Sequence, residues 1–168
     1  MTLSMYQASV PLFRTLLGAL SGVLDKGAAF AEEKKFDPSV LATARLAPDM
    51  FPLTRQVQIA TGHSAACIAR LAGVDVPEWP NTETTFEEMK ARIAKTIAYF
   101  DGFKPAQIDG SEEKEITLKM GASNVTLTGQ RYLIGFEIPN VTFHCTTAYN
   151  ILRHNGVEIG KRDFLGAN

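Results

Sequence analysis

The stretch NVTFHCTTAYNILRHNG, Asn140 to Gly156, carries the clearest architectural signal in the chain. Val141, Cys145, Ala148 and Leu152, with Ile138 just upstream, recur in steps of three and four, which lays one apolar stripe along a helix. Pro139 marks the start or a kink of that helix, and Gly156 marks its stop. His144 stands inside this otherwise apolar repeat. It is either a ligand or catalyst facing a bundle interior, or a core-edge histidine bonded to a carbonyl or hydroxyl.

The same periodicity appears three more times. Leu3, Tyr6, Val10, Phe13, Leu17, Leu20 and Leu24 form a long stripe near the start. Pro11 lies inside it, so a bend there, or a helix beginning near Val10, is expected. Asp37-Pro38 signals the cap and first turn of a short helical connector, and Pro48 and Pro52 break the chain after it. Leu53, Val57, Ala60, Ser64, Cys67 and Leu71 predict a second long helix from about Leu53 to Ala72, stopped by Gly73. Thr84 or Thr85 caps a third, whose stripe is Phe86, Met89, Ile93, Ile97 and Phe100.

From Glu115 the period changes to two. EITLKM and NVTLT alternate across GAS, the pattern of a small β-hairpin. The order is helix, helix, helix, hairpin, helix: an all-α four-helix bundle with a short β-hairpin inserted before the last helix. The tail EIGKRDFLGAN is expected to pack Phe164 onto the bundle and to fray after it.

Residues 1–168 fit one domain, long enough to bury a core without disulfide staples. Seventeen basic and eighteen acidic residues give a formal charge of -1 with no dense Lys/Arg cluster, which argues against nucleic-acid binding. Two cysteines, Cys67 and Cys145, are too few for a disulfide framework and suit a reducing compartment, so a cytoplasmic location is expected. No apolar run reaches the roughly 20 residues that span a bilayer, and neither a membrane span nor export is expected.

His63 and His144 fall on different long helices near the interior-facing stripes, where bundles build metal sites from facing side chains. Cys67 follows His63 by one turn and could join it on a soft ion such as zinc, although a buried cysteine also serves as a small hydrophobe. Cys145 points away from His144 and reads as packing, and His154 suits the negative end of its helix. Phosphate-cradling, dinucleotide and nucleophile-elbow motifs are absent from the sequence.

The helix NVTFHCTTAYNILRHNG resembles the last bundle helix of the DinB/YfiT-like metalloenzyme superfamily, where a His-x3-His pair precedes a Leu-Arg-x-x-Gly ending. YLIGFEIPNVTFHCTTAYNILRHNGVEIGKRDFLG is similar to a bacterial branch of that superfamily known as a domain of unknown function, over essentially the whole chain. The resemblance implies a ligand set of His63, Asn140 and His144, with Asn140 in place of the first histidine of the pair. Gln56, two turns before His63, is the alternative for the helix-two position and would leave the site one histidine.

The resemblance implies a relation to superfamily members that act as enzymes and are similar to thiol-dependent isomerases and S-transferases using a divalent metal held by three histidines. An amide oxygen is a harder and weaker donor than imidazole, so this set implies weaker zinc or nickel binding, with water or a substrate thiolate completing the shell. The family also implies a homodimer paired through bundle faces and a small-molecule or thiol ligand. A catalytically inactive dimeric binding or structural module is the competing expectation, and Asn140 is the residue that favours it.

Overall fold

A computed structural model of the chain describes residues 3–121 and 123–167. Four long helices carry the fold among these residues: α1 (Met5–Lys34), α3 (Leu53–Ala72), α4 (Phe86–Phe100) and α7 (Ile138–His154). Short helical turns lie between them, α2 (Ser39–Ala42), α5 (Pro105–Ile108) and α6 (Gly129–Tyr132), and a last one, α8 (Lys161–Leu165), follows α7. Strands β1 (Glu115–Met120) and β2 (Ser123–Thr128) form a hairpin before α6, the only sheet among the described residues. The result is the all-α four-helix bundle with a small hairpin that the stripes predict.

Each bundle helix buries the stripe its sequence carries. Phe13, Leu17 and Leu24 of α1, Leu53 and Val57 of α3, Met89 and Ile93 of α4, and Val141 and Leu152 of α7 are all but inaccessible. Every such aliphatic or aromatic side chain contributes about 1.5–3 kcal/mol on burial. The ends are built as the caps foretell. Thr85 accepts from the Glu88 amide at 3.2 Å while the Glu88 carboxylate accepts from the Thr85 amide at 3.1 Å. Gly73 closes α3 at φ 74°, a conformation that suits glycine.

The start of the chain differs from expectation. α1 begins at Met5, capped by Ser4 and Gln7, and continues through Pro11. Pro11 is exposed, so the Gln7 carbonyl that loses its intrahelical donor faces solvent, and the buried stripe around it offsets the loss. Leu3, which extends that stripe in sequence, precedes the helix and is exposed. At the short helix α2 the N-cap position falls on Pro38, one residue after the expected Asp37, whose Oδ1 nevertheless accepts from the Ser39 amide at 2.8 Å.

In the hairpin Glu115 pairs with Thr128 and Met120 with Ser123, and Ile116 and Leu118 are buried. The expected GAS turn includes Ala122, which lies outside the described residues. Gly129 then lies so close to the segment before β1 that a Cβ there would sit 2.0 Å from the Ser111 carbonyl oxygen. The Gln130 amide donates to the Glu112 carbonyl at 2.9 Å, which fixes where the chain re-enters the bundle. Phe164 of α8 packs edge-on against Tyr149 of α7, as anticipated for the tail. No helix among the described residues is long and apolar enough to cross a membrane.

Between α6 and α7 the helix opens into one π-turn, Leu133–Glu137, closed by the Ile138 amide on the Leu133 carbonyl. An i→i+5 repeat brings residues five apart onto one side, where an α-helix would separate them. Tyr132 and Glu137 are five apart and both fully buried. The π-turn therefore delivers a carboxylate and a phenol to the interface that α7 makes with α3.

Candidate functional site

Both histidines singled out by the sequence lie at the α3–α7 interface, and each is held by a partner on the other helix or its π-turn. His144 Nδ1 lies 2.6 Å from Gln56 Oε1, and Gln56 Nε2 donates to the Phe51 carbonyl at 2.9 Å. The second bond fixes the orientation of the amide, so its oxygen faces the imidazole. An amide oxygen only accepts; His144 therefore carries its proton on Nδ1 and leaves Nε2 with a lone pair. Burial lowers the His144 pKa to about 4, and the neighbouring His63 and Arg55 act in the same direction. His144 is neutral at pH 7.

His63 Nδ1 lies 2.9 Å from Glu137 Oε2. The imidazole is partly exposed, while the carboxylate is fully buried. The other oxygen, Oε1, is buried without a hydrogen-bond partner. Close to Glu137 stands Tyr132, whose hydroxyl accepts from Arg70 at 2.8 Å. Burial, with Glu137 close by, holds the Tyr132 phenol well above its ordinary pKa. It stays protonated, with its hydrogen available on the side away from Arg70.

Asn140 lies one turn after Glu137 and one turn before His144 on the same face of α7, and its Oδ1 is likewise buried without a partner. Gln56 and His63 are two turns apart on α3. The structure thus places His63, Asn140, His144 and the alternative Gln56 along one interface, and couples Gln56 to His144 and His63 to Glu137. Among the described residues no three His, Cys, Asp or Glu side chains assemble into a metal-binding group.

Residues 5–165 match the model of a family described as a domain of unknown function, DUF1993. The chain belongs to this DUF1993 family. It is also similar to a crystal structure of a DinB family member from Shewanella denitrificans, at 43% identity and a TM-score of 0.87, over 97% of this chain and 92% of that one. The bundle is therefore DinB-like. No curated protein matches the chain.

Within this DUF1993 chain, Cys67 is fully buried and its thiol is pushed well above its usual pKa by burial and by Glu137. Burial takes Cys145 up to about 12. Neither is a thiolate at neutral pH, and both pack as small hydrophobes. The residue that sequence reasoning misses is Glu137. Its signal is present: it stands four residues before Val141 on the α7 stripe, where a carboxylate is out of place unless it has a partner. Tyr132 and Arg70 carry no such signal, because only the π-turn brings them alongside Glu137.

Proposed function

We propose that the α3–α7 interface is a weak divalent-metal or small-molecule site, with His63, His144 and Asn140 as the donors, in a protein related to metal-dependent thiol transferases and isomerases. One observation carries this reading: each imidazole is anchored through Nδ1, by Gln56 or by Glu137. That is how metal-ligating histidines are oriented, the outer partner fixing the tautomer and leaving Nε2 for the ion. The buried, unpartnered Asn140 Oδ1 supplies the third donor, an oxygen. Two imidazoles and one amide oxygen fit zinc or nickel, less tightly than three imidazoles would.

A divalent ion held this way supplies a bound water or thiol with a lowered pKa. The protein's own part is positional. Gln56 and Glu137 hold the two rings, the π-turn places Glu137, and the buried Tyr132 phenol keeps its proton close to Glu137. Cys67 and Cys145 are excluded as nucleophiles by burial, so any thiol must come from the ligand. We further propose that the protein works in the cytoplasm as a homodimer.

A second reading is favoured by a specific observation: the Nδ1 bonds hold both histidines in place without any ion, and an asparagine occupies the position where the superfamily carries histidine. On that reading the bundle is a catalytically inactive dimeric binding or structural module. Calorimetric titration of zinc and of nickel into wild type and Asn140→His, with a melting curve for each, separates the two. A metal site predicts weak binding by wild type and at least tenfold tighter binding by the variant. An inactive module predicts no gain in affinity and a lower melting temperature.

A further inference from the structure

Beside His63 lies a small cavity of about 210 Å³, below the roughly 300–1,000 Å³ of drug-sized ligand sites. Arg55, Ile59, His63, Pro77, Trp79 and Asn81 line most of it. Gln58 and Arg92 complete its polar wall, and no carboxylate is among its lining residues.

The two arginines differ in how they are used. Arg92 is buried and committed: it meets Glu83 at 2.9 Å, Thr61 at 2.7 Å and the Pro80 carbonyl at 2.8 Å. Its charge is matched within the protein. Arg55 has no carboxylate partner among the described residues. Its Nη1 donates to Gln58 Oε1 at 3.2 Å, and its guanidinium lies over the Phe51 ring. Gln58 is itself oriented by donating to Glu83 Oε2 at 3.1 Å. Glu83 and Gln58 thus steer the Arg55 fork while leaving its charge uncompensated.

We propose that this cavity binds a small organic acid, with Arg55 taking the carboxylate and Trp79, Pro77 and Ile59 enclosing an apolar body. Guanidinium matches carboxylate through two parallel N–H···O bonds, which a point-charge ammonium cannot reproduce. A carboxylate seated on Arg55 places the rest of the molecule against His63, the one residue that lines the cavity and also belongs to the proposed metal site. The assignment of this acid as a substrate rests on that reading of His63; its binding does not.

Trp79 is the only tryptophan in the chain, so its fluorescence reports on the cavity directly. Benzoate and its neutral isostere benzamide are titrated in chelator-containing buffer against wild type, Arg55→Gln and Arg55→Lys, each checked by melting curve. Saturable change of Trp79 emission by benzoate is expected, at least tenfold tighter than benzamide. Arg55→Gln should weaken it at least tenfold, and Arg55→Lys should fall between. Equal affinity for benzamide, unchanged benzoate affinity in folded Arg55→Gln, or no saturable change up to roughly 10 mM would overturn the proposal. Because the chelator keeps metal out of this titration, failure here leaves the metal titration standing, and failure there leaves this result standing.

Discussion

Gln56 Oε1 and His144 Nδ1 meet at 2.6 Å across the α3–α7 interface, and this contact determines which nitrogen of His144 faces the site. Gln56 is almost wholly buried and spends its other end on the Phe51 carbonyl. One side chain therefore ties the loop before α3, the helix itself and α7 together.

Gln56→Leu keeps most of the volume and removes both hydrogen bonds. It leaves the His144 N–H without an acceptor and the Phe51 carbonyl without its donor, at a cost of about 1–3 kcal/mol. For a chain of this size the melting temperature should fall by roughly 2–4 °C per kcal/mol. Thermal denaturation monitored by circular dichroism checks it; an unchanged melting temperature would show the pair to be energetically idle.

His144 also predicts a pH dependence. Its folded pKa is about 4 against an ordinary 6.5, lowered first by burial and then by His63 and Arg55. Between these values the unfolded chain takes up a proton that the folded one declines, so stability rises with pH through this window. The contribution is complete above about 6.5 and is lost as pH falls toward 4. His144 is half-buried, and solvent screening reduces its share to about 1 kcal/mol. Urea denaturation of wild type and His144→Gln at pH 7 and pH 5 should show the smaller acid loss in the variant.

At Glu137 two substitutions separate the roles of shape and acceptor. Glu137→Gln keeps the shape of the side chain and an oxygen for His63 Nδ1, so it should change stability by less than about 1 kcal/mol. Glu137→Ala opens a cavity and orphans the His63 N–H, and should cost about 2–4 kcal/mol. Guanidinium denaturation of both, giving equal values, would show that His63 does not depend on this acceptor.

Two glycines should respond with opposite signs. A methyl group at Gly129 would meet the Ser111 carbonyl oxygen at 2.0 Å, backbone against backbone, so Gly129→Ala should destabilise by at least about 2 kcal/mol. Gly22, inside α1, has open space where a methyl group would stand, with no neighbouring atom within 4 Å, and Gly22→Ala should stabilise by about 0.5–1 kcal/mol. Melting temperatures moving in the same direction would contradict the close packing assigned to Gly129.

The bundle is legible in the sequence alone. The stripes of α1, α3, α4 and α7, the Thr85 cap, the Gly73 stop and the two-residue period of the hairpin are local signals, each set by residues a few positions apart. His63 and His144 are legible too, because they are polar residues beside apolar stripes, whereas Asn140 and Gln56 are reached only through the family resemblance. How those residues pair is not. Gln56 reads as a competitor of His63 for one position, yet it meets His144 while His63 turns to Glu137. Tyr132, Arg70 and Arg55 give no sequence signal at all. The roles of Tyr132 and Arg70 depend on the π-turn, which changes the helical register by one residue, and on the approach of α3 to α7, which brings side chains as far as 88 positions apart within hydrogen-bonding distance; that of Arg55 depends on the segment around Trp79 folding back over α3. Periodicity sets which face of a helix is buried; only the packed structure sets which atom on that face meets which atom on its neighbour.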